Sequence, residues 1–193
     1  MMRQMKYFCF DTETGGLAEN TSLLTLYGMI LDENLEIVET IDLKLKPADD
    51  IYLIQNNALG INRIDLGQHT KTAITYEKGA EQLKSFLSKH VPSVKQKLRI
   101  VGQNIIDFDI PRVKNFLLSS EEFDWYFSRD IHDTRVQGLL LRTLGIIPED
   151  VNIGLAGQLK HFFPDLDFSG HHDAKWDAEH TRLLHKKHVS ILE

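Results

Sequence analysis

Apolar residues open the chain at 6–11 (Lys-Tyr-Phe-Cys-Phe-Asp), a short aromatic-rich run expected of a central strand buried on both faces. Two further strand-like segments, 21–32 and 35–47, flank the turn signal Asp32-Glu-Asn34, so the pattern predicts a three-stranded meander. Residues 47–75 are polar and irregular, with a short helix expected near Asn56-Asn-Ala-Leu-Gly60. From 76 to 90 the apolar positions 80, 83, 86 and 87 recur at helical spacing and give one buried face. Leu98–Gly102 reads as a fourth strand, and 110–118 as the helix that follows it. A helix over 134–144 carries Val136, Leu139, Leu140 and Leu144 in phase and stops at Gly145 and Pro148. Helices over 153–163 and Ala174–Leu192 complete the chain. Strands first, then helices alternating with short strands, predict an α/β protein with a mixed sheet and helices on its faces. No repeat, low-complexity tract or Pro/Gly/Ser linker divides it, so 1–193 is read as a single domain.

Composition changes that picture little. A chain of 193 residues, 42% hydrophobic and 26% charged, matches an ordinary globular domain with a proper core. The lone Cys9 excludes an intramolecular disulfide and a cysteine-rich zinc site, and it fits a reducing cytoplasm. No apolar run approaches the ~18–20 residues that cross a bilayer, and the opening lacks the long apolar core of a signal peptide. The expectation is an intracellular protein with no membrane partner. A net charge of −6 argues against a tight, non-specific polyanion binder. It does not argue against an enzyme that must release a polyanion, particularly if bound cations cancel several of the acids.

Three short motifs carry the chemistry: Phe10-Asp-Thr-Glu-Thr-Gly-Gly-Leu17, Gly102-Gln-Asn-Ile-Ile-Asp-Phe-Asp-Ile-Pro111 and His172-Asp-Ala-Lys-Trp-Asp-Ala178. Strand side chains alternate, so Asp11 and Glu13 project from one face near the strand's C-terminal end, with Thr12 turned away. Two carboxylates so placed can clamp a hard cation. Asp-x-Glu alone is more often a plain acidic strand end before a glycine turn, and Gly15-Gly16 is no phosphate loop because no Lys-Ser/Thr follows. Asp109 stands where a helix begins with Pro111 in its first turn, facing the strand of Asp11. Phe108 is read as core, Asp107 as a cap or solvated acid, and Asn104 as a turn residue. His172 falls on a loop after Ser169-Gly170 and Asp177 in the first turns of a helix, so an acid could bind metal while a histidine leans over a bound water. A lone histidine is usually structural. Only its company points this one toward catalysis. His171, His180, His185 and His188 are read as solvated or capping residues, and no zinc site is expected of them. Together, four carboxylates and one histidine are the parts of a two-metal site with a general base.

These strings closely resemble the three motifs of the DEDDh family, the DnaQ-like 3′→5′ exonucleases that include the proofreading subunit of the bacterial replicative polymerase. The resemblance spans 10–178, although only the motifs match specifically. It places metal ligands at Asp11, Glu13, Asp109 and Asp177, and the general base at His172. Substrate contacts fall at Thr14, Gly16, Leu17 and Asn104, with Leu17 or its neighbours wedging against the terminal base. The second motif departs from the commoner His-Asn-x-x-Phe-Asp: Gln103 replaces His, and one extra residue separates Asn104 from Phe108, as in the exonuclease domains of family B polymerases. His172, five residues before Asp177, indicates the histidine branch rather than the tyrosine branch. Asp133 and Thr134 match an Asp-Thr pair with a supporting role. The resemblance implies an RNase H-like fold with a mixed five-stranded sheet, and two Mg²⁺ ions that Mn²⁺ can replace. It also implies removal of nucleoside monophosphates from the 3′ end, single-stranded DNA being the expected substrate. A polymerase partner would have to act in trans, because the chain is too short to hold one. The alternatives are an exoribonuclease that trims RNA with the same five residues, and a non-catalytic RNase H-like adaptor, which would be expected to have lost a ligand. A structural or storage cation site is weaker than either.

Overall fold

The computed structural model describes residues 6–55 and 57–193. The opening run 1–5, read above for the absence of a leader, lies outside the described residues, as does Asn56 at the start of the expected short helix. The meander is present as β1 (Tyr7–Thr14), β2 (Leu23–Leu31) and β3 (Ile37–Lys46), paired antiparallel in turn. Asp32 builds the second hairpin: its carboxylate accepts from the amides of Asn34 (2.9 Å) and Glu36 (2.8 Å), while Leu35 takes the left-handed conformation. Segment 47–75 then holds α1 (Ala58–Asn62), α2 (Leu66–Thr72) and a two-residue strand, β4 (Ile74–Thr75). After α3 (Tyr76–Ser88), β5 (Leu98–Gly102) pairs parallel with β1. Then come α4 (Asp109–Phe116), α5 (Ser120–Tyr126), β6 (Phe127–Asp133), α6 (Thr134–Thr143), α7 (Leu155–Phe162) and α8 (Ala174–Leu192). None of the described helices is long and apolar enough to cross a membrane.

The sheet is mixed, but it has six strands in the order β4-β3-β2-β1-β5-β6, not five. Two strands escape the sequence pattern. β4 is two residues long and pairs only with Leu45 and Lys46, too short for any periodicity to show. β6 (Phe-Ser-Arg-Asp-Ile-His-Asp) is a half-exposed edge strand whose polar residues hide the alternation. α5 did leave a signal: Ser119 and Glu122 form a reciprocal capping box.

α6 is a second departure. Its apolar stripe, Val136, Leu139, Leu140 and Leu144, stays 43–56% exposed, while Thr134, Gly138 and Leu141 face inward. Gly138 explains the choice, because a Cβ there would meet the Gln158 side chain of α7 at 2.3 Å. A small residue lets two helices close on a face that hydrophobic periodicity does not mark.

The two faces of β1 set up the site. Phe8 and Phe10 point into the large core formed with α3, α4 and α5, including Leu83, Phe86, Val113 and Phe123. Tyr7 and Cys9 point to the opposite core, shared with Ala174 and Ala178 of α8. Burial there pushes the Cys9 thiol far up, leaving it inert. With a period of two, Asp11 and Glu13 must follow Tyr7 and Cys9 onto the α8 face, and Thr12 must follow Phe10 toward α4.

Candidate active site

Near its C-terminal end, β1 runs into a cleft of about 480 Å³. Asp11, Glu13, Asp109, His172 and Asp177 all line it, and so do Thr14, Gly16, Leu17 and Asn104. Residues from the strand end, a helix entrance and the start of α8 thus meet in one cavity. One oxygen from each of Asp11, Glu13 and Asp177 lies within 4.8 Å of the others. Asp177 sits in the first turn of α8, which Asp173 caps by accepting from the amides of Lys175 and Trp176 (3.1 Å each). The oxygen-only triad is a donor set for a hard divalent cation.

Asp109 is placed differently. It is buried at the start of α4, and its Oδ1 accepts from the Thr12 amide (3.0 Å) and the Thr12 hydroxyl (2.6 Å). The residue turned away from Asp11 and Glu13 is therefore the one that clasps Asp109. Asp109 lines the cleft but lies outside the close oxygen triad.

Electrostatics follow from this crowding. Burial, then the charges of Asp109, Asp177 and Glu13, hold the Asp11 carboxyl well above its usual range. Burial and Asp177 raise Glu13 to about 8, against a small opposing hydrogen bond from Asn62. Burial raises Asp109 to about 7, although its Thr12 hydrogen bonds and Arg112 pull the other way. Carboxyl groups this strained as anions are what a cation would relieve, so the residues present fit a divalent ion. Burial and the neighbouring His171 lower His172, which leaves it neutral at neutral pH and able to accept a proton. His172 is exposed, on a loop at φ 69°, and its amide points toward Asp177 Oδ1 (3.4 Å).

The wall around Leu17 is braced from both sides. Leu17 itself is 82% exposed at the cleft rim. Gln55 Oε1 accepts from the amides of Leu17 (2.8 Å) and Ala18 (3.3 Å). Gly16, at φ 154°, leaves room for that carboxamide, which a Cβ would meet at 2.3 Å. From below, Arg112 donates to the carbonyls of Leu17 (2.6 Å), Ala18 (3.4 Å) and Phe108 (2.8 Å). Its guanidinium lies 3.6 Å from the Phe108 ring centroid. Phe108 is thus a cleft wall stacked on a cation and not the core residue expected, and Asp107 is exposed rather than a cap. Asp133 supports the second motif: its carboxylate accepts from the amides of Asn104 (2.9 Å) and Arg135 (2.9 Å), while Thr134 donates to Gln103 Oε1 (2.6 Å).

Sequence reasoning passed over Gln55, Asn62 and Arg112, and it read His171 as a solvated or capping residue. Asn62 donates to the Thr14 carbonyl (3.1 Å), and His171 Nδ1 lies 2.8 Å from Asp177 Oδ1. None belongs to a motif string. The expectation of solvated tail histidines is also corrected. His185 and His188 are buried, and both Nδ1 atoms donate to Gln137 Oε1 (3.0 and 3.2 Å). His180 donates to the Trp176 carbonyl (2.7 Å).

The same arrangement of elements occurs in solved structures of exonuclease I. A product-bound exonuclease I matches with TM-score 0.72 at 20% identity over 97% of this chain and 44% of its own. A zinc-bound complex of E. coli exonuclease I with single-stranded DNA matches at 0.74 and 20%, over 95% of this chain and 40% of the other. Another exonuclease I structure gives 0.72 and 19%, over 94% and 40%. This chain therefore spans about two fifths of the length of these neighbours. At such identity the likeness establishes the fold, and activity has to be argued from the site. No protein-family model and no curated protein sequence matches the chain.

Proposed function

We propose that the chain is a 3′→5′ exonuclease domain of the DEDDh type that removes nucleoside monophosphates from single-stranded DNA. The observation that carries this reading is the convergence of Asp11, Glu13 and Asp177 oxygens within 4.8 Å, in an open cleft that Asp109 and His172 also line. Fold neighbours in complex with single-stranded DNA and with a dT13 oligonucleotide support DNA over RNA. An adaptor that had abandoned catalysis would have no reason to keep three carboxyl groups converging at a cleft.

Asp11, Glu13 and Asp177 would hold a divalent ion, with Mg²⁺ expected and Mn²⁺ able to replace it, and Asp109 would assist a second. Bound there, such ions neutralise phosphate charge and acidify water. The chain's own groups do the rest. Leu17, backed by Gln55 and Arg112, presents an apolar wedge against the terminal base. Asn104, fixed by Asp133, offers an amide to the strand. Neutral His172 takes the proton from the attacking water, and its exposed loop lets it pass that proton on to solvent.

The test is incubation with 5′-labelled single-stranded DNA, duplex DNA and RNA in Mg²⁺, Mn²⁺ or EDTA, beside Asp11→Ala. A ladder shortening from the 3′ end of the single strand, abolished by EDTA and in the variant, is expected. Cleavage retained by Asp11→Ala, or silence on all three substrates, would overturn the proposal. A stronger ladder on RNA would move the substrate class to RNA trimming.

A further inference from the structure

Beside the oxygen triad, a second group of described residues has ligand atoms close enough to share an ion: His171, His172 and Asp177, again within 4.8 Å of one another. Its chemistry is different, because it offers two imidazole nitrogens and one carboxylate oxygen. The two rings already lie together, stacked at 3.9 Å and 21°. His171 Nδ1 is 2.8 Å from Asp177 Oδ1.

The loop that presents them is braced on both sides. Arg63, at the end of α1, donates to the Ser169 carbonyl (2.9 Å). On the helix side, Trp176 packs on His171 at 5.5 Å and is itself stacked on His180 at 3.8 Å. Gly170 fits beneath the indole, where a Cβ would come within 2.3 Å of Cδ1. A second cavity, of about 590 Å³, opens on this side of the loop and is lined by Asn62, Arg63, His171, His172 and Asp173. An ion could reach the pair without passing through the catalytic cleft.

We propose that His171, His172 and Asp177 form a second metal site, selective for zinc-like transition ions, which shares Asp177 with the oxygen triad and stops catalysis when filled. Mg²⁺ demands oxygen ligands and gives up its waters reluctantly, so it gains little from two imidazoles. Zn²⁺ takes nitrogen and oxygen at tetrahedral corners, and three protein ligands with one water are an ordinary set for it. The site thus separates ions by ligand type, although the two sets share a residue. A zinc ion here takes the His172 lone pair that would accept the water proton, and it draws Asp177 Oδ1 toward the histidines. The inhibitory consequence rests on the exonuclease reading. The metal site itself does not.

The probe is Co²⁺, whose visible absorption intensifies when it enters a four-coordinate site, titrated without nucleic acid and then displaced by Zn²⁺. Wild-type protein and Asp11→Asn should both develop the band. His171→Ala and His172→Ala should each weaken binding by roughly tenfold or more. His171→Gln replaces the alanine variant if circular dichroism shows the latter unfolded. With Trp125→Phe, Trp176 becomes the sole indole, and its emission should change on metal binding in step with the band. In the activity assay, the ratio of rates with and without zinc at fixed Mg²⁺ should rise toward one in His171→Gln. No band in the wild type would overturn the proposal. So would a band that survives both histidine variants but vanishes in Asp11→Asn, since the ion would then occupy the oxygen triad. If the chain cleaves nothing, the Co²⁺ titration still decides the site.

Discussion

α8 carries buried ionisable side chains near both ends, and the two ends solve opposite problems. At its N-terminal end Asp177 joins Asp11 and Glu13, like charges converging on an open cleft. Toward its C-terminal end His185 and His188 are sealed in, beside His132 and Phe162. Burial works against charge in both places, raising Asp11 and Glu13 and lowering His185 to about 3 and His188 to about 4. The histidines, however, rest as neutral rings, both Nδ1 atoms donating to Gln137, while His188 Nε2 is buried without a partner. The acids remain crowded in space that solvent and an ion can enter. Burial by itself therefore does not mark a functional group; like charges brought together at an open cavity do.

The sharpest way to break this contrast is to remove an acid. Asp11→Asn should lower cleavage beyond the roughly 10⁴-fold upper bound for losing one general base, and Mg²⁺ should no longer raise its melting temperature. Activity near wild type would erase the distinction between the two ends. His172→Ala is the next largest. Turnover should fall by roughly 10²–10⁴-fold while the Mg²⁺-induced rise in melting temperature survives, and loss of both together would make His172 a ligand rather than a base.

Third is the pH dependence of stability in EDTA, where the two ends oppose each other. Asp109 and Glu13 stand at about 7 and about 8 in the folded protein, above ordinary values of 3.8 and 4.5. The folded state therefore holds protons that the unfolded chain releases, and stability falls as pH rises from about 4 to about 8. His185 and His188 act in the other sense. Their ordinary value is 6.5, so stability is lost as pH drops from there toward about 3–4. Between about 4 and 6.5 the two trends partly cancel, and above 6.5 only the acids remain. Urea melts should show stability falling from pH 6.5 to 8.5, and Mg²⁺ at a hundred times its Kd should restore about 2.7 kcal/mol. Stability that rises over that interval would contradict the raised acids. The smallest effect belongs to the sealed end. Gln137→Leu leaves two imidazole N–H groups without an acceptor and should cost about 1–3 kcal/mol, measurable by the same melts, with kcat unchanged below the melting transition.

Much of this was legible in local patterns. The meander, β5 at Leu98–Gly102 and α8 at Ala174–Leu192 appear where apolar spacing places them. The shared face of Asp11 and Glu13 follows from a period of two, and the loop placement of His172 follows from Ser169-Gly170. The edge strand β6 was hidden because a half-solvated strand need not alternate. α6 misled for a related reason: periodicity finds an apolar stripe, whereas Gly138 decided which side could be approached. Gln55 and Arg112 were invisible because their work is done on backbone atoms 38 and 95 residues away.

The sequence alone determined which side chains travel together, since strand and helix periods are properties of neighbouring residues. It put Asp11 with Glu13, set His172 five residues before Asp177, and left Leu17 beside two glycines. Only the tertiary structure decided what each would meet. Thr12 reaches Asp109 across 97 residues, His171 rather than solvent faces Asp177, and Gln137 closes over two histidines that spacing alone leaves undistinguished from solvated ones. Those encounters depend on how faces are covered, which is set by the packing of the whole sheet against α4, α6 and α8 and by no segment alone.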